Sequence, residues 1–177
     1  MYLKMKGILS SNSLFSYQFL GKILAKKFRS IPSSQIRSLT IKPAKLSELQ
    51  GLGIWRMKMI EELDIYLDGV SEIDEAGFAR DFKRFKNLKS LRIHDTRIFE
   101  HSIRHTLSFL NSIQDLRICL HWWLNGESFI DALSRCKDLK IFKIRFFDVK
   151  VSVRTQLLVL NALASLKNLK DLSIGSF

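Results

Sequence analysis

The sequence predicts an α/β solenoid: about six strand–loop–helix units stacked so that their strands form a parallel concave sheet and their helices the convex side. Three observations carry this. A six-residue phrase, apolar, two mostly polar, Leu (once Phe), variable, Ile, occurs six times. The copies recur at a nearly constant interval. Between them lie segments whose apolar residues fall at helical period. A unit of this size cannot close a core alone, so it buries its apolar face against its neighbours in the array.

The copies are Ile36–Ile41, Ile60–Ile65, Leu88–Ile93, Ile113–Ile118, Leu139–Ile144 and Leu169–Ile174, with start-to-start spacings of 24, 28, 25, 26 and 30 residues. Strand alternation turns the Leu and Ile of each phrase inward and the residues flanking them outward. The outward central column then reads Thr40, Asp64, Arg92, Arg117, Lys143, Ser173, and the column after Ile reads Lys42, Tyr66, His94, Cys119, Arg145, Gly175. Helical stripes follow the phrases. One comprises Ala76, Phe78, Ala79, Phe82 and Phe85, behind Asp74 as N-cap. Ile103, Leu107 and Leu110 form the next, then Phe129, Ile130, Leu133 and Cys136, then Val153, Leu157, Leu160, Leu163 and Leu166. A shorter helix begins at Leu46, Leu49 and Leu52 and is interrupted by Gly51 and Gly53.

Over about residues 35–177 the phrase and its spacing resemble the leucine-rich-repeat family, most closely its intracellular α/β members. One departure is visible. Many members carry Asn or Cys three residues after the last conserved apolar position, where the side chain satisfies loop backbone. Here those places hold Ala44, Asp68, Thr96, His121, Phe147 and Phe177. No Asn ladder exists, so irregular loops are expected. The resemblance implies a binding surface and does not name its partner.

Composition divides the chain. Its net charge is +12, yet residues 1–47 hold nine Lys or Arg and no acid, leaving +3 for residues 48–177. The division of the chain is therefore a basic extension over 1–34 and a repeat domain over 35–177. Lys4, Lys6, Lys22, Lys26, Lys27 and Arg29 stand in a Ser-rich, acid-free stretch, with Leu14, Phe15, Leu20, Ile23, Leu24 and Phe28 at roughly helical spacing. This composition describes a mitochondrial transit peptide. Two other readings stay open: a helix capping the first repeat, and an amphipathic helix on an anionic membrane surface. No apolar run approaches the ~18 residues of a membrane span. Cys119 and Cys136 make no disulfide framework and read as small buried hydrophobes in a reducing compartment.

The candidate sites are surfaces. Arg92, Arg117 and Lys143 on successive strands, about 4.8 Å apart, form an expected basic ridge with Arg145 and His94 beside it. Opposed like charges cost a sheet stability, so the ridge is expected to face carboxylates or phosphates of a partner, with Glu62, Asp64 and Asp115 neutralising part of it. Trp122 and Trp123, directly after the fourth strand, are a second candidate contact at the loop rim. Catalysis finds little support. His101 and His105 have metal-compatible spacing without a third ligand, and Asp64 and Glu62 show no evident His or nucleophile partner. There is no GxGxxG after a strand, no P-loop and no GxSxG.

The expected function is that of a non-catalytic scaffold without cofactors, an accessory subunit docked to other protein subunits of a large assembly. The open edge after the sixth strand points the same way, because an uncovered strand invites pairing. The front end makes that assembly mitochondrial, with the cytoplasm as the other compartment. One alternative is an RNA-backbone-contacting component of a ribonucleoprotein. Another is a substrate adaptor of ubiquitin-ligase type, although residues 1–34 are short and basic for the helical module such adaptors carry.

Overall fold

The computed structural model describes residues 2–8, 14–20, 34, 36–42, 57–67, 82–96, 105–108, 110–120, 127–146 and 153–176. Eight strands form one sheet: β1 (Tyr2–Ile8), β2 (Leu14–Leu20), β3 (Ile36–Lys42), β4 (Glu62–Tyr66), β5 (Ser90–Thr96), β6 (Asp115–Leu120), β7 (Ile141–Phe146) and β8 (Asp171–Ser176). Their order is β2-β1-β3-β4-β5-β6-β7-β8, so from β3 onward each strand pairs with the next in sequence. Those six run parallel, and β1 joins them antiparallel to both β2 and β3. The class is α/β.

Register follows the repeated phrase. Leu39, Leu63, Leu91, Leu116 and Phe142 stand side by side across β3–β7, as do Ile41, Ile65, Ile93, Ile118 and Ile144. All ten are at most 1% exposed. A one-residue slip between any two strands would turn these columns out to water, so alternation specifies the pairing strongly. The entry into each strand also recurs. Lys89 and Ser90 amides donate to the Glu61 carbonyl, Gln114 and Asp115 to Lys89, Lys140 and Ile141 to Gln114, and Lys170 and Asp171 to Lys140. Ahead of each entry a turn bonds residue i+3 to i, at Met57–Ile60, Phe85–Leu88, Leu110–Ile113, Cys136–Leu139 and Leu166–Leu169.

Asparagine ties some of these turns together from a place other than the one expected. Asn87 donates its side-chain amide to the Lys58 carbonyl at 2.8 Å, and Asn168 does the same to Lys137 at 2.9 Å. Each sits one residue before the first apolar position of its phrase and reaches back to the preceding turn. The recurring signal was Lys-Asn-Leu-Lys at 86–89 and 167–170, with Lys-Asp-Leu-Lys at 137–140 between them.

Two helices are described, α1 (Glu127–Ser134) and α2 (Val153–Ala164), together with a helical turn at 105–108. They cover one face of the sheet. Phe129 of α1 lies 6.5 Å from Phe142 of β7, ring centre to ring centre, and both are fully buried. Phe82 and Phe85 meet edge to face at 5.7 Å. On α2 the stripe that enters the core is Val159, Ala162 and Leu163, and Leu166 continues it in the turn that follows. The expected stripe is thereby corrected: Val153, Leu157 and Leu160 lie on another side of the helix, 71%, 55% and 48% exposed.

The expected helix at the front of the chain is also corrected. Leu14–Leu20 is a strand, and residues 21–33 lie outside the described residues. The reason is legible in hindsight. Phe15, Tyr17 and Phe19 alternate with Ser16 and Gln18, which is period two in residues that favour strands. Residues 2–8 and 14–20 thus belong to the same sheet as the repeats, and Lys4 and Lys6 occupy β1 positions opposite Thr40 and Ser38. Among the described residues no helix is long and apolar enough to cross a membrane.

The stacking makes a sharp comparison possible between equivalent residues. Leu116 and Leu172 hold the same place in their phrases, yet Leu116 is fully buried and Leu172 is 43% exposed. Leu116→Ala is expected to cost about 2–5 kcal/mol in urea unfolding, and Leu172→Ala about 1 kcal/mol.

Candidate functional site

The sheet face away from the helices carries three columns of outward residues. The first reads Ser38, Glu62, Ser90, Asp115, Ile141, Asp171, and the other two are the central and following columns already derived from alternation. Acids gather in the first column and cations in the second. Five always-charged cations (Lys42, Arg92, Arg117, Lys143, Arg145) and His94 meet four carboxylates (Glu62, Asp64, Asp115, Asp171). Across β3 to β8 these charges sum to +1, or +2 with His94 protonated, and β1 adds Lys4 and Lys6 at the positions paired with Thr40 and Ser38.

Arg92, Arg117 and Lys143 are register neighbours on β5, β6 and β7, so the ridge exists as a row. Its repulsion is relieved within the face. Asp115, whose side chain is only 14% exposed, accepts Arg117 Nε at 2.9 Å and Nη2 at 3.1 Å, a two-point carboxylate–guanidinium contact. Arg92 Nη2 approaches the same carboxylate at 3.5 Å, and the Ser90 hydroxyl donates to it at 3.4 Å. Asp115 pushes Arg117 further up from an already high value. Lys143 Nζ meets Asp171 Oδ2 at 2.7 Å. Alternation pointed to Asp115 as a neutralising group, whereas Asp171 was missed.

His94 is the most perturbed group of the face. Its Nε2 lies 2.8 Å from Asp64 Oδ1, and its ring stacks on Tyr66 at 4.1 Å with 5° between planes. The approach is short but poorly aligned, so neither atom makes a well-directed hydrogen bond. The Asp64 carboxylate first, and the Cys119 side chain second, raise the imidazole to about 9 against the opposing effect of burial. At neutral pH it carries its proton. This corrects the expectation that Asp64 lacks a histidine partner: the residues are 30 apart in sequence but neighbours across β4 and β5.

At the N-terminal side of the same face, Ser38, Thr40, Glu62, Asp64, Ser90 and Arg92 line a depression of about 230 Å³. It offers hydroxyls, two carboxylates and one guanidinium. The Ser38 hydroxyl donates to Glu62 at 3.1 Å, which closes part of that edge. Among the described residues no three His, Cys, Asp or Glu side chains converge as a metal site. His105 is exposed on the helical turn, and His101 lies outside the described residues. So do Trp122, Trp123, Lys22, Lys26, Lys27 and Arg29.

Comparison with family models, with curated proteins and with solved structures finds no match.

Because the folded value of His94 lies above its unfolded value near 6.5, its contact with Asp64 stabilises the fold fully below pH 6.5 and loses that effect as pH rises through about 9. In Asp64→Asn the His94 ring resonances are expected to titrate closer to 6.5. The urea midpoint of that variant should fall less than that of the wild type between pH 6.5 and 9.

Proposed function

We propose that the chain is a non-catalytic docking module: a leucine-rich-repeat-type solenoid whose polar sheet face seats a protein partner, as an accessory subunit of a larger assembly. One observation carries the reading most. The cations of the ridge contact carboxylates on their own face, at Asp115 and Asp171. A surface of alternating, internally matched charge suits the mixed charge of a folded protein better than the uniform negative charge of a phosphate backbone. Leu172 and Ile174 on β8, and Val153, Leu157 and Leu160 on α2, are exposed apolar side chains that an assembly would cover.

RNA-backbone contact stays the second reading because nine of the chain's cations precede its first carboxylate. A mitochondrial destination rests on that same basic, acid-free composition. The strands at 2–8 and 14–20 favour a front end built into the sheet over a helical presequence or a helix laid on a membrane.

Native purification of the tagged chain, with mass spectrometry of what accompanies it and sequencing of bound RNA, tests this. A stoichiometric set of proteins is expected, and Arg117→Glu should reduce their recovery about tenfold or more. Recovery of RNA whose binding falls log-linearly with salt would replace the docking reading with the RNA reading. Asp115→Asn separates the two further, since freeing Arg92 and Arg117 should strengthen RNA binding and weaken protein docking.

A further inference from the structure

Two charged groups of the open sheet face are matched less well than the rest, and they stand close together. Asp64 has His94, Asp115 has Arg117 and Asp171 has Lys143, whereas no cation contacts Glu62 among the described residues. What Glu62 receives is the Ser38 hydroxyl, donating at 3.1 Å. Arg92 is the converse case. Its Nη2 reaches Asp115 at 3.5 Å, but Arg117 already holds that carboxylate at two points, and the buried Nε of Arg92 has no hydrogen-bond partner.

Register sets these two groups on the border of one recess. Glu62 pairs with Ser90 across β4 and β5, and Arg92 stands two residues further along β5 on the same face. Strands ~4.8 Å apart and a rise of ~3.3 Å per residue put their Cα atoms about 8 Å apart. The side chains do not meet, because Arg92 leans toward β6 and Asp115, away from β4. Both line the depression of about 230 Å³, whose other polar walls include short Ser38, Thr40 and Ser90. Short side chains beside long charged ones leave such a hollow. The one apolar residue at its border, Leu63, is 1% exposed and turns into the core, so the walls are polar. The volume equals about eight waters at ~30 Å³ each and falls below the ~300–1,000 Å³ of drug-sized pockets. A large or apolar ligand does not suit it.

We propose that this recess binds a small zwitterion of the α-amino-acid type, which carries an ammonium and a carboxylate on the same carbon. The ammonium offers donors only, and its acceptors are the Glu62 carboxylate, the Thr40 hydroxyl and the Asp64 oxygen that His94 does not approach. The ligand carboxylate accepts from Arg92, whose planar guanidinium matches a pair of carboxylate oxygens. Both ends then make charge-assisted hydrogen bonds, the stronger kind. A simple cation would meet Arg92 unmatched, and a simple anion would meet Glu62 unmatched; the zwitterion finds opposite charge at each end. The inference goes beyond the docking reading, because this ligand needs no protein partner.

The test titrates the full chain at neutral pH with three probes built on one carbon: glycine, glycinamide, which lacks the carboxylate, and N-acetylglycine, which lacks the ammonium. Backbone amide resonances report the binding. Glycine is expected to shift Thr40, Glu62, Ser90 and Arg92 saturably, with a Kd about tenfold or more below that of either single-ended probe. Glu62→Gln and Arg92→Gln should each bring glycine to the level of the single-ended probes. Asp131→Asn, at an exposed acid of α1 paired with Arg135, should leave glycine binding unchanged. Shifts that do not saturate, or glycine that binds no tighter than glycinamide and N-acetylglycine, overturn the proposal on the wild-type chain alone. So does glycine binding that survives Glu62→Gln intact. The docking reading is judged separately, by what co-purifies, so either can fail while the other stands.

Discussion

The structure depends on one constraint: no unit can bury its own Leu and Ile. Each inward residue of a strand is sealed by its equivalents on the strands to either side and by the helix or turn behind it. The end of the row shows what this is worth. Leu172 and Ile174 have the same identity, alternation and strand geometry as Leu116 and Ile118, yet both are 43% exposed where the inner pair is at most 1% exposed. From β4 to β7 every strand has a parallel neighbour on both sides, and there the inward Leu, Phe and Ile are buried.

The polar face obeys a different rule. Parallel register sets Arg92 against Arg117 and Arg117 against Lys143, an arrangement that repels on its own. The first column supplies the remedy, because a carboxylate there is diagonal to the cation of the preceding strand, as Asp115 is to Arg92 and Asp171 to Lys143. Asp115 uses both directions at once, holding Arg117 of its own strand and Arg92 of β5. Its burial concentrates the attraction, since a carboxylate screened from water interacts more strongly with the cations it touches. The same face places Asp64, His94 and Cys119 on three successive strands, and there the ladder yields one residue to a bulge.

Inward and outward identity could be read from residue order, because side chains alternate strictly along a strand and the phrase marks its phase six times. Hence the core columns, the parallel pairing of β3 to β8 and the membership of Arg92, Arg117, Lys143, Arg145 and His94 in one face were legible. The first two strands were not. Leu14 to Leu20 satisfies a loose helical period and a strict strand period together, and the choice between them fell to β1, which pairs with β2 on one side and β3 on the other. On α2 the sequence offers two apolar stripes, and only the packing selects Val159, Ala162 and Leu163.

By itself, then, the sequence determined which side chains of β3 to β8 face which way and in what order those six strands join, since both follow from local periodicity. Tertiary structure decided the chemistry of the face. Contact distances across strands fix that Arg92 shares the Asp115 carboxylate with Arg117, that Asn87 and Asn168 bind backbone some 30 residues earlier, and that His94 lies against Asp64. Those contacts join residues more than twenty positions apart, which local periodicity does not relate.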